Sequence, residues 1–268
     1  MRKKGKFLLF DHAAEFAPWL RDQDVARRVV LVQNHHTWLP SYRTFQRDNH
    51  FALLESMERS HLERGFDQIG QNLTTFPDGR LAVGRPLDRI PAGIKGANTG
   101  GVCLEHVGNF DRGGDLMAPA HRETIVTLNA LLCRKFSLKP GTDTIVYHHW
   151  WDLTTGRRTD GAGSAKSCPG TAFFGGNGVA DAAAHFIPLI EAALAGPGAA
   201  PAATAPERVL VVTANALRVR AAPSAGAPVV KQLARGIQVG VFEESGDWRR
   251  IHPAGQQWVH ARYLEALT

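Results

Sequence analysis

Between Ala195 and Pro206 the chain reads AGPGAAPAATAP, a stretch without a single bulky apolar side chain and rich in proline, glycine and alanine. Such a run cannot contribute to a hydrophobic core, so it acts as a linker and leaves two pieces that must each bury their own apolar surface. Residues 1–194 are long enough for one α/β domain with a sizeable core, and residues 207–268 for one small domain. A content of 44% apolar and 21% charged residues excludes fibrous and disordered classes. No apolar run approaches the ~20 residues of a membrane span. The basic start MRKKGK is followed only by Phe7 to Phe10 before Asp11 interrupts, too short for the apolar core of a signal peptide, so synthesis in the cytoplasm without a signal peptide is expected. Cys103, Cys133 and Cys168 are odd in number and far apart, which fits reduced thiols or a metal ligand better than a disulfide framework.

The net charge of +6 sits mainly at the two ends. Residues 207–268 carry eight Arg/Lys against five Asp/Glu, and Arg2, Lys3, Lys4 and Lys6 add to the start. Basic ends attract polyanions in general. No nucleic-acid motif or basic helix accompanies them, so no nucleic-acid partner is expected.

Periodicity alternates along the first piece. Arg28 to Gln33 (RVVLVQ) suits a strand buried on both faces. His50 to Arg64 places Phe51, Leu54, Met57 and Leu62 at helical spacing, and Gly65 ends it. Ile69 to Phe76, the turn Pro77-Asp78-Gly79 and Arg80 to Gly84 read as a hairpin. Gly101 to Val107 and Thr144 to His149 predict further strands, Ala120 to Phe136 and Val179 to Leu194 further helices. The expected fold class is therefore α/β, a mixed central sheet flanked by helices. After the linker, Val209 to Val219, Val229 to Leu233, Gln238 to Phe242, Trp248 to His252 and Gln257 to Val259 are short strands divided by turns, which predicts a small all-β barrel.

Three places bring nitrogen or sulfur donors to strand ends: His35-His36, His148-His149, and Cys168 in AKSCPG. Two imidazoles and one thiolate would hold a hydrolytic zinc while leaving a position for water. Twelve histidines make some pairs by chance, and a surface or capping histidine is the ordinary alternative. Glu105 shares a strand face with Cys103 and Val107, where partial desolvation raises a carboxyl pKa and suits a general base; a salt-bridged edge glutamate is the plainer alternative. Lys166 lies two residues before Cys168 and points the same way in extended chain, placed to stabilise an oxyanion, unless it is an ordinary solvated lysine.

The succession VQNHHT, DQIGQNLTTFPDGRLAVGRPLDRIPAGIKGANTGGVCLEHVGNFD, IVYHHWWDL and KSCPG resembles the type-2 N-acetylmuramoyl-L-alanine amidases and their relatives, the peptidoglycan recognition proteins and phage lysis amidases. The likeness runs in order from about residue 29 to residue 170, and KGANTG followed by the LE of the next strand is its most specific part. It implies zinc held by His35, His148 and Cys168, a catalytic pair in Glu105 and Lys166, and a substrate groove bordered by Lys95, Asn98 and Thr99. YHHW stands where the family has a GHRD-like element, so His149 competes with His148, although position favours His148. Gln71 replaces a tyrosine that some phage members use, and Gly93 replaces a frequent histidine.

The segment ALRVRAAPS, GIQVGVFEESGDWRRI and QWVHARYL resembles the bacterial SH3-like wall-binding domains, with Trp248, Trp258 and Tyr263 at recurring aromatic positions where core is the more frequent role than ligand platform. Together the resemblances imply a monomeric peptidoglycan hydrolase, endolysin or autolysin, whose partners are bacterial peptidoglycan and anionic wall polymers and which reaches the wall by lysis or a non-classical route. A non-catalytic peptidoglycan receptor is the alternative; retention of all three ligands favours the enzyme.

Overall fold

The structure, a computed structural model, describes residues 1–46, 48–195, 206, 208–252 and 256–266. The expected linker between Ala195 and Pro206 lies outside the described residues except at its two ends. Two compact units result, one of residues 1–115 and 123–201, the other of 116–122 and 202–268.

The larger unit is built on a seven-stranded sheet of β1 (Arg2–Lys4), β2 (Phe7–Phe10), β3 (Leu31–His36), β4 (Leu73–Thr75), β5 (Leu81–Val83), β6 (Gly101–His106) and β7 (Ile145–Tyr147), in the order β1-β2-β5-β4-β6-β3-β7. Its β4-β6-β3-β7 half is parallel and its β1-β2-β5-β4 half antiparallel, so the expected mixed sheet is what forms. In register, Gln33 lies beside Cys103 and His35 beside Glu105, which puts these four side chains on one face. On that face α2 (His50–Glu63) packs Leu53, Leu54 and Met57 against Phe7, Leu9 and Ala82. The opposite face carries Phe10, which meets Phe16 of α1 (Ala13–Asp22) edge-on at 5.2 Å, and Asn34, which meets α3 (Pro119–Phe136). The unit closes with α4 (Val179–Asp181), one π turn (Ala182–Phe186) and α5 (Ile187–Ala195), which bring Phe186 against Tyr147 and Phe173.

Several elements differ from the sequence expectation. The apolar Phe7 to Phe10 is an inner strand of the sheet, and α1 after it was not anticipated. The strand expected at 28–33 runs instead from Leu31 to His36: β6 pairs with it along its whole length and β7 as far as Asn34, and burial in the sheet outweighs the polarity of Asn34, His35 and His36. The strand expected at 144–149 stops at Tyr147, and His148–Trp150 turn into a 3₁₀ helix. In α2, Leu53 rather than Leu62 joins the core, because positions 50, 53, 54 and 57 share one helical face and Leu62, half exposed, falls off it. The basic start is largely neutralised locally, since Arg2, Lys4 and Lys6 pair with Asp11, Glu55 and Glu58.

The smaller unit is all β. Strands β8 (Arg208–Val212), β11 (Gln238–Val241) and β15 (Leu264–Ala266) form one sheet. The other contains β9 (Ala216–Arg220), β10 (Val229–Ala234), β12 (Glu243–Ser245), β13 (Trp248–Arg250) and β14 (Trp258–His260). The stretch 209–219, expected as one strand, is broken between β8 and β9. Both sheets enclose one cluster of Val212, Leu217, Val219, Val239 and Val259. Trp258 is buried, whereas Trp248 and Tyr263 are only partly so.

Behind the site-bearing face, Asn34 and Asn129 exchange two side-chain hydrogen bonds of 3.0 Å across fully buried space, and His106 Nε2 donates to the same Asn34 oxygen at 3.1 Å. This ties β3 to β6 and α3. Truncation of one partner strands a buried amide, so Asn129→Ala is expected to cost roughly 1–3 kcal/mol. The double change Asn34→Leu with Asn129→Leu should cost less than the two single changes combined. Urea unfolding of the full chain, followed on the larger unit, measures both.

Candidate active site

Three parallel strands deliver the site. β3 and β6 carry His35 and Glu105 one residue before their ends, side by side in register, and β7 ends one residue before His148. This places polar groups beyond the carboxyl ends of neighbouring parallel strands, where α/β sheets build their sites. The 3₁₀ turn that interrupts β7 swings His148 over His35: the two Nδ1 atoms are 3.1 Å apart and the rings meet at 64° with centroids 4.7 Å apart. The loop 166–170 brings in Cys168, whose Sγ accepts from the backbone N–H of His36 at 3.4 Å. One donor atom each from His35, His148 and Cys168 lies within 4.8 Å of the others, and all three residues are buried.

His149 has a different place. Its backbone N–H donates to the Cys168 carbonyl at 2.7 Å and its Nδ1 donates to the Lys166 carbonyl at 2.6 Å, so it pins the loop that carries both residues. Asp111 holds the same loop from the other side, accepting from Ser167 Oγ and from the Thr171 backbone N–H, each at 3.0 Å. Asp111 has no signal in the sequence; the loop-to-loop contact that gives it its place spans 56 residues and leaves no local pattern.

Electrostatics prepare these groups for a cation. Burial, reinforced by the neighbouring His148, holds His35 well below the usual imidazole range, and burial with Lys166 nearby lowers His148 to about 4. Both rings are therefore neutral and offer lone pairs. Burial and then Glu105 push the Cys168 thiol well above its ordinary range, so in this apolar setting a thiolate needs a metal ion to form. Two neutral imidazoles and one thiol converging at this spacing fit a tetrahedral N/S site with one position left for water. His35, Cys103 and Glu105 make a second group of donors within 4.8 Å, sharing His35 with the first.

Around the donors lies a cleft of about 770 Å³. One wall is a face of α2 and the turn after it, with Leu53, Ser56, Met57, Ser60, His61 and Arg64. The opposite lip is the loop after β3, where Trp38 is 61% exposed. Glu105, Lys166 and Asp111 complete the lining beside the histidines and Cys168. Burial pushes the Glu105 carboxyl up to about 7 against the opposing pull of the Lys166 ammonium.

Lys95, Asn98 and Thr99 do not line this cleft. Lys95 Nζ donates to the Thr154 carbonyl at 2.6 Å, and Asn98 Oδ1 accepts from the backbone N–H groups of Gly93 and Ile94, both at 2.9 Å. The Thr99 carbonyl faces the Arg27 guanidinium. These residues shape the loop that presents Gly93. A methyl group built on Gly93 would lie 2.3 Å from Gln33 Oε1 and 2.7 Å from Cys103 Sγ, so packing leaves no room for a side chain at this position. Gln71, in the position of the tyrosine of some phage members, is buried and donates to Thr74 Oγ1 at 3.1 Å.

The sequence model described as "N-acetylmuramoyl-L-alanine amidase" matches residues 25–171, and that described as "Bacterial SH3 domain" matches residues 215–265. No curated protein sequence matches the chain. Among solved structures, the N-acetylmuramoyl-L-alanine amidase LysC from Clostridium intestinale URNW is similar at 19% identity and a TM-score of 0.42, covering 55% of this chain and 80% of its own. Wild-type Drosophila PGRP-LB is similar at 20% identity and a TM-score of 0.45, covering 60% and 82%. Bumblebee PGRP-SA is similar at 21% identity and a TM-score of 0.42, covering 57% and 85%. With more than half of its length matched by one family, the chain belongs to the N-acetylmuramoyl-L-alanine amidase family and carries a bacterial SH3 domain after it.

Proposed function

We propose that this protein hydrolyses the amide between the lactyl group of N-acetylmuramic acid and L-alanine of the stem peptide in bacterial peptidoglycan, as a zinc enzyme of the endolysin or autolysin kind. The observation that carries the proposal is the convergence of His35, His148 and Cys168 at the floor of a cleft that also holds Glu105.

His35, His148 and Cys168 would hold the zinc ion. Once bound, zinc supplies Lewis acidity toward the scissile carbonyl and toward the attacking water. Glu105, with its carboxyl near 7, is poised between its two forms at neutral pH; it takes the proton from that water as the carbon–oxygen bond forms and returns it to the departing amine as the carbon–nitrogen bond breaks. Lys166, exposed on the rim of the same cleft, offsets the negative charge that grows on the carbonyl oxygen. Gly93 borders the cleft because of its close packing, and Asn98, with Lys95 and Thr99 beside it, supports that border from behind. The C-terminal SH3 unit, with its excess of basic residues, holds the enzyme on the wall and its anionic polymers.

Two outcomes are expected. The purified chain should hold about one zinc per molecule by elemental analysis, lose its activity to a strong chelator, and bind none as His35→Ala, His148→Ala or Cys168→Ser; full zinc content in those variants would remove the basis of the reading. Glu105→Gln should keep its zinc yet lose about 10²–10⁴-fold in kcat for stem-peptide release from defined muropeptides, read by mass analysis. A zinc-loaded wild type that binds muropeptides without cutting them would point to a receptor instead.

A further inference from the structure

Gln33 is a costly residue to find where it stands. It lies in the middle of a parallel strand, wholly buried, in a run where Val29 and Val32 show what such a strand ordinarily contains. One end of its amide is accounted for, since Nε2 donates to the Ala97 carbonyl at 3.0 Å. That bond also fixes the orientation of the amide, because only the nitrogen can donate to a carbonyl. Its Oε1, buried, has no hydrogen-bond partner among the described residues.

A second buried orphan lies in the same small space. His35 Nε2 likewise has no partner among the described residues, although the residue is only 4% exposed. The point where a side chain on residue 93 would begin is 2.3 Å from Gln33 Oε1 and 3.1 Å from His35 Nε2. One atom is an acceptor and the other a ring nitrogen able to donate, and both lie against the same point beside Gly93, a separation that one bridging water can span. Two glycines keep this arrangement open. A methyl group on Gly93 would collide with the oxygen end of the Gln33 amide, and one on Gly101 would lie 2.5 Å from its nitrogen end.

We propose that Gln33 is the positioning residue of His35: its carbonyl oxygen accepts a hydrogen bond from Nε2–H, fixes the ring as the Nε2–H tautomer, and so presents Nδ1 toward His148 and Cys168. The inference rests on the reading of His35 as a metal ligand. Ligating histidines commonly donate their second ring N–H to an oxygen that sets ring orientation and basicity, and loss of that partner typically weakens metal binding 10–100-fold. Gln33 touches neither substrate nor reacting atoms and acts through His35 alone.

Zinc affinity of the full chain, measured by competition with a chromophoric chelator for wild type, Gln33→Leu, Gln33→Glu and His35→Ala, tests it. Gln33→Leu should bind zinc 10–100-fold more weakly, and Gln33→Glu, which keeps an oxygen facing the ring, should restore affinity at least to the wild-type level. Equal affinity of Gln33→Leu and wild type, or a Gln33→Glu variant as weak as Gln33→Leu, overturns the proposal while a zinc-free His35→Ala leaves the ligand reading intact. If His35→Ala binds as tightly as wild type, the ligand reading itself fails and Gln33 has nothing to position. Should Gln33→Leu not fold, the imidazole ¹H–¹⁵N spectrum of the metal-free wild type decides: an Nε2–H tautomer with a slowly exchanging proton at His35 supports the inference, and an Nδ1–H tautomer overturns it.

Discussion

Side chains along a strand change face at every residue, so the pairing of Leu31–His36 with Gly101–His106 decides which of their polar groups can meet. In the observed register Gln33, His35, Cys103 and Glu105 share the face that opens to the cleft, while Asn34 and His106 share the face that packs against α3. A slip of one residue would turn one strand over, carrying either Glu105 of β6 or Asn34 of β3 to the wrong face. The hydrogen bonds among Asn34, Asn129 and His106 work against such a slip, because each would be left unpaired in a dry interior. The polar layer behind the sheet thus specifies the geometry of the polar layer in front of it.

The same arrangement explains what could be read from the sequence. The strand–helix alternation, the Pro77-Asp78-Gly79 turn and the helix after Ala118 follow from local spacing, and the structure has them. The donors His35, His148 and Cys168 were legible because short motifs mark them, and the folded chain brings them together. Other features have no local signal. The strand carrying His35 extends through three polar residues that single-sequence hydropathy would place in a loop, since β6 pairs with all three and β7 with the first of them. Position in the motif favours His148 over His149, and the 3₁₀ turn sends the first to the cleft and the second to the loop. The KGANTG segment looked like a substrate border, yet Asn98 spends its oxygen on two backbone N–H groups of its own loop.

The cleft is also chemically graded. Near its floor the groups are neutral or shifted by burial, as His35, His148 and Glu105 show. At its rim stand solvent-facing side chains, Trp38 on one lip and Arg64 and Lys166 elsewhere. Charge interactions therefore strengthen with depth, where the surrounding dielectric is lowest.

β1 is the outermost strand of the sheet on its antiparallel side and consists of Arg2, Lys3 and Lys4, all exposed. An outer strand offers unpaired backbone groups to any passing polypeptide, and a row of like charges is a common way to make that offer unattractive. The partners Asp11 and Glu55 hold two of these side chains in place without covering the strand. A second polypeptide docking along this edge would have to strip water from three charged side chains, a cost that disfavours further strand addition there.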